Sequence, residues 1–182
     1  MKERRSSQIL NNPRGIVFLD RDGTINERII DGYVTDKLAF KFIKNAKKAI
    51  KLLNEEKFIT VLITNQRGIA RGLMTEGDLE EIHSFMQNEL LKSGAKIDKI
   101  FFCPHDILDN CNCRKPKPGM ILQALLELER GGVDISVPKY FIGDTDSDMQ
   151  TAKNAGIIGL KIGVENGDFA DLLAAVEHLI KS

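Results

Sequence analysis

Two carboxylates one residue apart, Asp20 and Asp22, end an apolar run (Ile16, Val17, Phe18, Leu19) and are followed at once by Gly23 and Thr24. The apolar run reads as a short buried strand. A strand that stops on paired carboxylates and a glycine turn is poor material for packing and good material for chemistry. The chemistry it suits is a magnesium-bound carboxylate nucleophile with an acid beside it. Two plainer uses of Asp-x-Asp-Gly compete. A tight turn stays open at this point. A calcium loop fits poorly: counted from Asp20, its fifth and twelfth ligand positions hold Thr24 and Asp31, and no helix pattern precedes it.

A second cluster has the chemistry of a metal site. All three cysteines, Cys103, Cys111 and Cys113, fall within eleven residues, with His105 among them. The pairs Cys-x-His and Cys-x-Cys read as a tetrahedral Cys₃His zinc site, although they are tighter than the usual zinc-finger spacing. Reduced thiols, or a redox pair of Cys111 and Cys113, are the plainer alternatives. With His105 as fourth ligand the site is closed, so zinc would hold a loop and perform no chemistry. What it would hold is Arg114-Lys115-Pro116-Lys117-Pro118-Gly119, which follows directly. Two prolines and the adjoining ligands point to a rigidly presented basic segment rather than a solvated turn.

The elements that must position these groups alternate along the chain. Residues 16–20, 58–64, 99–103, 139–143 and 157–162 read as strands, and 45–56, 75–92, 118–130, 147–155 and 169–181 as helices. Such alternation predicts an α/β fold, a Rossmann-like parallel sheet with helices on both faces. In such sheets, function gathers beyond the carboxyl ends of the strands. There the sequence puts Asp20 and Asp22, Thr64 and Asn65, the Cys103 loop, and Asp144. Four strand ends aim polar groups at one place, which makes a plain turn at Asp22-Gly23 a poor account.

Composition bounds the rest. The 182 residues carry 26 basic and 26 acidic side chains, a net charge of zero that argues against broad binding of nucleic acid or an anionic membrane. No apolar run approaches the roughly 18 residues of a spanning helix. Residues 1–14 are polar and basic without the apolar centre of a secretory signal, and read as a flexible tail before a single domain over 15–182. The expectation is a cytoplasmic monomer acting on a small molecule. His83 and His178 fall in helical segments with no partner motif and read as surface or half-buried positions, and Phe40, Phe42 and Phe58 as core.

Phosphoryl transfer needs an in-line nucleophile, a cation, donors for the phosphoryl oxygens and an acid for the leaving group. Asp20 can attack, Asp22 can protonate the leaving oxygen and later activate water, and Thr64 and Asn65 can donate to phosphoryl oxygens. Lys115 can neutralise charge, while Asp20, the Asp22 carbonyl and Asp144 can form an oxygen-rich magnesium site. A receiver-like regulatory domain also carries acidic residues and a lysine, but has no use for Asp22 or the cysteine loop. The stretches Asp20-Arg21-Asp22-Gly23-Thr24, Thr64-Asn65, Lys115 and Gly143-Asp144-Thr145-Asp146-Ser147-Asp148 resemble, in order, the four motifs of the haloacid dehalogenase superfamily. The resemblance implies a phosphatase acting through an aspartyl-phosphate, with Arg21 pointing away from the site. For Asp148, magnesium binding through water and helix capping remain equal readings.

The chain is similar to one branch of that superfamily, the heptose bisphosphate phosphatases and the related histidinol-phosphatases. Both resemble it in DRDGTIN, TNQ, CPH…CxCRKP and the Gly-Asp motif. The segments Asp31-Gly32-Tyr33-Val34, Gly68-Ile69-Ala70-Arg71-Gly72 and Lys117-Pro118-Gly119-Met120 favour the heptose enzymes. That resemblance implies substrate contacts from Asp31, Gly32, Tyr33, Asn65, Gln66, Arg67 and Arg114, with no large cap domain. Three departures stand out. The His105-to-Cys111 gap is short, as in the histidinol-phosphatases, and Glu27-Arg28-Ile29-Ile30 lengthens the loop before Asp31. Arg67 follows TNQ and Thr145 follows Asp144, which suggests a cation moved from 145 to 67.

Overall fold

The computed structural model describes residues 12–181. The chain runs β1 (Gly15–Leu19), α1 (Ala46–Glu55), β2 (Phe58–Asn65), α2 (Arg67–Ala70), α3 (Glu76–Lys92), β3 (Lys99–Cys103), α4 (Gly119–Arg130), β4 (Lys139–Gly143), α5 (Asp146–Ala155), β5 (Ile158–Lys161) and α6 (Leu172–Lys181). The five strands form one sheet in the order β3-β2-β1-β4-β5, every pair parallel. The registers Leu19↔Leu62 and Leu19↔Ile142 put the carboxyl ends of the three central strands on the same side of the sheet, with β2 running three residues further to Asn65. Asp20, Thr64 and Asp144 therefore emerge on one edge.

All five residues of β1 are buried because both faces of the sheet are covered. Successive side chains on a strand point to opposite faces. Val17 and Leu19 join one core with Ala49, Ile50 and Leu53 of α1, Ile82 and Met86 of α3, and Ala175, Val176 and Leu179 of α6. Ile16 and Phe18 join the other with Met120, Ile121, Ala124 and Leu128 of α4 and Ala152 of α5. The continuous apolar run that marks β1 in the sequence is the signature of this double burial. No described helix is long and apolar enough to cross a membrane.

The expected elements are present with ends shifted by a few residues. Capping boxes set two of the starts: Thr75 accepts from the Asp78 N–H before α3, and Thr145 accepts from the Asp148 N–H before α5, with the aspartates reaching back in each case. The short α2 has no apolar periodicity and was not expected. The helix expected from residue 169 begins at Leu172, because Phe169 bridges to Ile162 instead. The expected flexible tail falls largely on residues 1–11, outside the described residues. Arg14, assigned to that tail, is tied to the domain, donating to Glu56 at 3.0 Å and to the Ile180 carbonyl at 2.6 Å.

Candidate active site

The centre of the strand-end cluster is a buried ion pair with three members. Lys115 Nζ lies 2.6 Å from Asp20 Oδ1 and 2.7 Å from Asp148 Oδ1, all three side chains being nearly inaccessible. Burial alone would discharge Lys115, but the two carboxylates hold its pKa above the ordinary lysine value. One ammonium does not balance two carboxylates. Burial pushes Asp20 up to about 7; the Lys115 charge opposes this, while Asp148 and Asp22 add to it. Asp144 is raised as well, chiefly by burial. Ligand oxygens of Asp20, Asp144 and Asp148 lie within 4.8 Å of one another.

This all-oxygen donor set with excess negative charge fits a hard divalent cation such as magnesium. A cation already marks the place: Arg28 Nη2 donates to the Asp22 carbonyl at 2.9 Å and to Asp144 Oδ1 at 3.0 Å. Gly23 explains why Asp144 can come so close. Its φ is +95°, and a Cβ there would collide with the Asp144 carboxylate. Asp148 answers both readings of it in part. Its Oδ2 caps α5 from the Thr145 N–H at 3.1 Å, while Oδ1 faces the centre through Lys115.

Asp22 is pinned from three directions. Asn26 Nδ2 donates to Oδ1 at 2.9 Å, Gln66 Nε2 to Oδ2 at 3.1 Å, and Arg21 Nη2 forms an ion pair at 3.0 Å. Burial acts to raise its pKa, but the Arg21 charge and these hydrogen bonds hold it below the usual carboxylate range. Arg21 does not simply point away. It is fully buried beneath the site, donating also to Gln66 Oε1 at 3.2 Å and to Nε2 of His83 at 3.4 Å. His83 is therefore a buried neighbour of the site, not a surface position. Burial and the adjacent guanidinium drive its pKa down to about 3, so it stays neutral.

The basic segment is held at both ends. Asn65 takes the Lys115 peptide in both directions, accepting from its N–H at 3.1 Å and donating to its carbonyl at 3.2 Å. On the other side lies the cysteine cluster. The Sγ separations are 3.6 Å for Cys103–Cys111, 3.2 Å for Cys103–Cys113 and 3.4 Å for Cys111–Cys113, and His105 Nδ1 lies 3.2 Å from Cys113. Disulfides are far shorter, whereas a tetrahedral zinc ion would set its sulfurs about 3.8 Å apart. The four donors therefore fit zinc. Burial pushes Cys103 up to about 12. At Cys111 burial also raises the pKa, but contacts from Cys113 and the Arg114 N–H bring it down to about 7.

Asp20, Asp22, Asn65 and Lys115 open on one cavity of about 590 Å³, whereas Asp144, Asp148 and the cysteine cluster lie behind its wall. Of the residues singled out in the sequence, Asp20, Asp22, Asp31, Gly32, Tyr33, Thr64, Asn65, Gln66, Arg114 and Lys115 line it. Arg67 does not. It pairs with Asp106 at 2.9 Å and so ties α2 to the cysteine loop. The supposed transfer of a cation from 145 to 67 thus places none in the cavity, and Thr145 is a helix cap. Sequence reasoning missed Arg28 and Arg71 in the wall. A lone arginine in a loop carries no signal of its direction. A second groove, of about 710 Å³ between α3 and β3, reaches His83 and holds none of the strand-end groups.

Comparison with known proteins agrees with this geometry. The model of the polynucleotide kinase 3 phosphatase family matches residues 15–169. The D-glycero-beta-D-manno-heptose-1,7-bisphosphate 7-phosphatase of Yersinia pestis is 42% identical over 158 residues, covering 83% of this chain and 80% of that protein. The enzyme of that name from Helicobacter pylori strain J99 is 43% identical over 146 residues, covering 78% of each. The crystal structure of the D,D-heptose 1,7-bisphosphate phosphatase from B. bronchiseptica, complexed with magnesium and phosphate, superposes with a TM-score of 0.79 at 33% identity, covering 91% of this chain and 98% of that one. The short cysteine loop had kept a histidinol-phosphatase open, and these relatives do not favour it.

Proposed function

The chain belongs to the haloacid dehalogenase superfamily, in the family of the heptose bisphosphate phosphatases, and from that premise we propose that it removes the 7-phosphate of D-glycero-D-manno-heptose 1,7-bisphosphate. Its class, a phosphoric monoester hydrolase, follows from the family. The observation that carries the reading is Asp20: buried at the end of the central strand, 2.6 Å from Lys115, and facing the cavity beside a fixed Asp22.

Asp20 attacks phosphorus in line, and the bond from phosphorus to the sugar oxygen breaks. Asp22 gives its proton to that leaving oxygen, then takes one from the water that cleaves the aspartyl-phosphate. Arg21, Asn26 and Gln66 hold Asp22 as a carboxylate in the free site. The negative charge of an arriving phosphate beside it favours the protonated form that the first step needs. Lys115 and Thr64 face the phosphoryl oxygens, whereas Asn65 acts through Lys115. Magnesium held by Asp20, the Asp22 carbonyl and Asp144 would supply charge neutralisation at the phosphoryl group. Zinc on Cys103, His105, Cys111 and Cys113 would fix the base of the Arg114-Lys115 segment.

Substrate selection in this reading belongs to Asp31, Gly32, Tyr33 and Arg114 on the cavity wall, with Gln66 orienting Asp22. The cavity is complete within one chain, in keeping with a monomer, and the cytoplasm, where nucleotide-activated heptose is made, is the compartment the reading implies. A steady-state comparison tests it: kcat/KM for both anomers of heptose 1,7-bisphosphate against histidinol phosphate. A preference of about 10²-fold or more for one heptose anomer is expected, since losing contacts to a second charged group costs several kcal/mol. Equal or better turnover of histidinol phosphate would overturn the substrate assignment.

A further inference from the structure

Arg28 lies in the lengthened loop before Asp31, and the reaction as described gives it no role. Its Nη2 bridges the Asp22 carbonyl and Asp144 Oδ1, two of the three oxygens assigned above to magnesium. The side chain is 46% exposed, so packing does not force the contact; the acidic centre attracts it. A hydrogen bond from a guanidinium uses one of the lone pairs open to a divalent ion on each oxygen, and two cations a few ångströms apart repel. Arg28 in this position therefore competes, chiefly through its charge, with a metal on these oxygens.

What Arg28 does once displaced follows from the cavity wall. That wall carries four cationic side chains, Arg28, Arg71, Arg114 and Lys115. Lys115 is bound to Asp20 and Asp148, Arg71 lies over the Tyr33 ring at 5.9 Å, and Arg114 donates to the His105 carbonyl. The metal would take partners from two of them, Lys115 and Arg28; Lys115 is buried and keeps Asp148, whereas the part-exposed Arg28 keeps neither of its two acceptors. Its neighbours Ile29, Asp31, Gly32 and Tyr33 line the same cavity, so a guanidinium released from Asp144 stays within reach of a bound substrate.

We propose that Arg28 is a tethered counter-cation of the acidic centre, displaced by magnesium and thereby delivered to the second, non-reacting phosphate of the substrate. The second half rests on the bisphosphate reading above. The two binding events are then coupled: the metal frees the guanidinium for the anion, and the anion, by holding it, removes a competitor of the metal.

Two measurements decide it. Calorimetric titration of the zinc-loaded enzyme with magnesium compares wild type, Arg28→Ala, Arg28→Gln and Arg71→Ala. A partly exposed ion pair lost to competition should make the dissociation constant about two- to fivefold tighter in both Arg28 variants. Arg71→Ala, which removes a cavity charge without touching the ligand oxygens, should stay within about twofold. Unchanged or weaker affinity in both Arg28 variants overturns the proposal, as does an equal gain in Arg71→Ala, which would mark a diffuse charge effect. In the second measurement, at saturating magnesium, the wild-type preference in kcat/KM for heptose 1,7-bisphosphate over heptose 7-phosphate should fall about tenfold in Arg28→Ala, the size of losing one charge-assisted contact. An unchanged preference overturns the delivery to substrate. A wild type that turns over neither compound overturns the substrate reading instead, and the titration alone then judges the counter-cation.

Discussion

The Asn65 side chain and the Lys115 peptide are joined by two hydrogen bonds, one in each direction, across 50 positions of sequence. The N–H and C=O of Lys115 belong to consecutive peptide units, so this one side-chain amide fixes the orientation of both units that flank the lysine Cα. The lysine that meets the nucleophile is thus aimed from β2 on one side and from the cysteine cluster on the other. Asn65→Ala should lower kcat about 10²-fold, the scale of a small misplacement of a catalytic group. Asn65→Asp, which keeps the acceptor for the Lys115 N–H, should recover part of that loss. Equal kcat in wild type and Asn65→Ala would show that the pairing is incidental.

Asp20→Asn removes the proposed nucleophile and should cut turnover at least about 10³-fold. Its effect on stability has the opposite sign from that of most site mutations. The folded pKa is raised to about 7 against an ordinary value of 3.8, so the folded state binds the extra proton. Stability from this group is therefore lost as pH rises from about 4 to 7 and stays lost above. Lys115 keeps Asp148 as partner. In chelator at pH 8 the variant should melt no lower than wild type; a fall of several degrees would contradict the burial argument.

His83 gives a pH dependence in the other direction. Its folded pKa is about 3 and its ordinary value 6.5, so the unfolded chain takes up a proton that the folded state refuses. The contribution is present above pH 6.5 and declines as pH falls towards 3, by about 1.4 kcal/mol per pH unit. His83→Gln can still accept from Arg21 and does not titrate. Urea denaturation at pH 7, 5.5 and 4.5 should show the gap between wild type and variant narrowing or reversing with acid. A constant gap would mean that His83 titrates normally.

Cys111→Ser tests the metal loop. Structural zinc supplies about 10–16 kcal/mol of apparent binding free energy in small peptides. In a domain with two cores of its own, loss of one thiolate should cost about 3 kcal/mol or more, roughly 6–12 °C in Tm. Elemental analysis of unchelated wild type should find one zinc per chain, and the variant should hold less than half of that. A wild type without zinc would refute the site, and an unchanged Tm would refute its structural role.

Much of the molecule was legible in residue order alone. The central strands β1 and β2 are apolar runs because both of their faces are buried, and the polar groups gather at or just past the strand ends, where packing makes fewer demands. Those rules locate Asp20, Thr64 and Asp144 without any knowledge of contacts. The four donors of the cysteine cluster are legible for a similar reason: ten positions of chain separate the first from the last, so local geometry can bring them together.

Contacts between distant segments are what the tertiary structure alone decided. Nothing in the sequence distinguishes Arg67, which leaves the cavity for Asp106, from Arg28, which enters it to reach Asp144. Long flexible side chains take their direction from whichever charge the fold sets within reach. His83 sits at an ordinary position of a helical pattern and acquires its meaning from Arg21, 62 residues away. In the proposed mechanism the DRDGTIN segment supplies both attack and proton transfer, which need two carboxylates at fixed spacing. That Arg28 reaches Asp144, 116 positions away, is decided by a loop whose direction the chain shows only when folded.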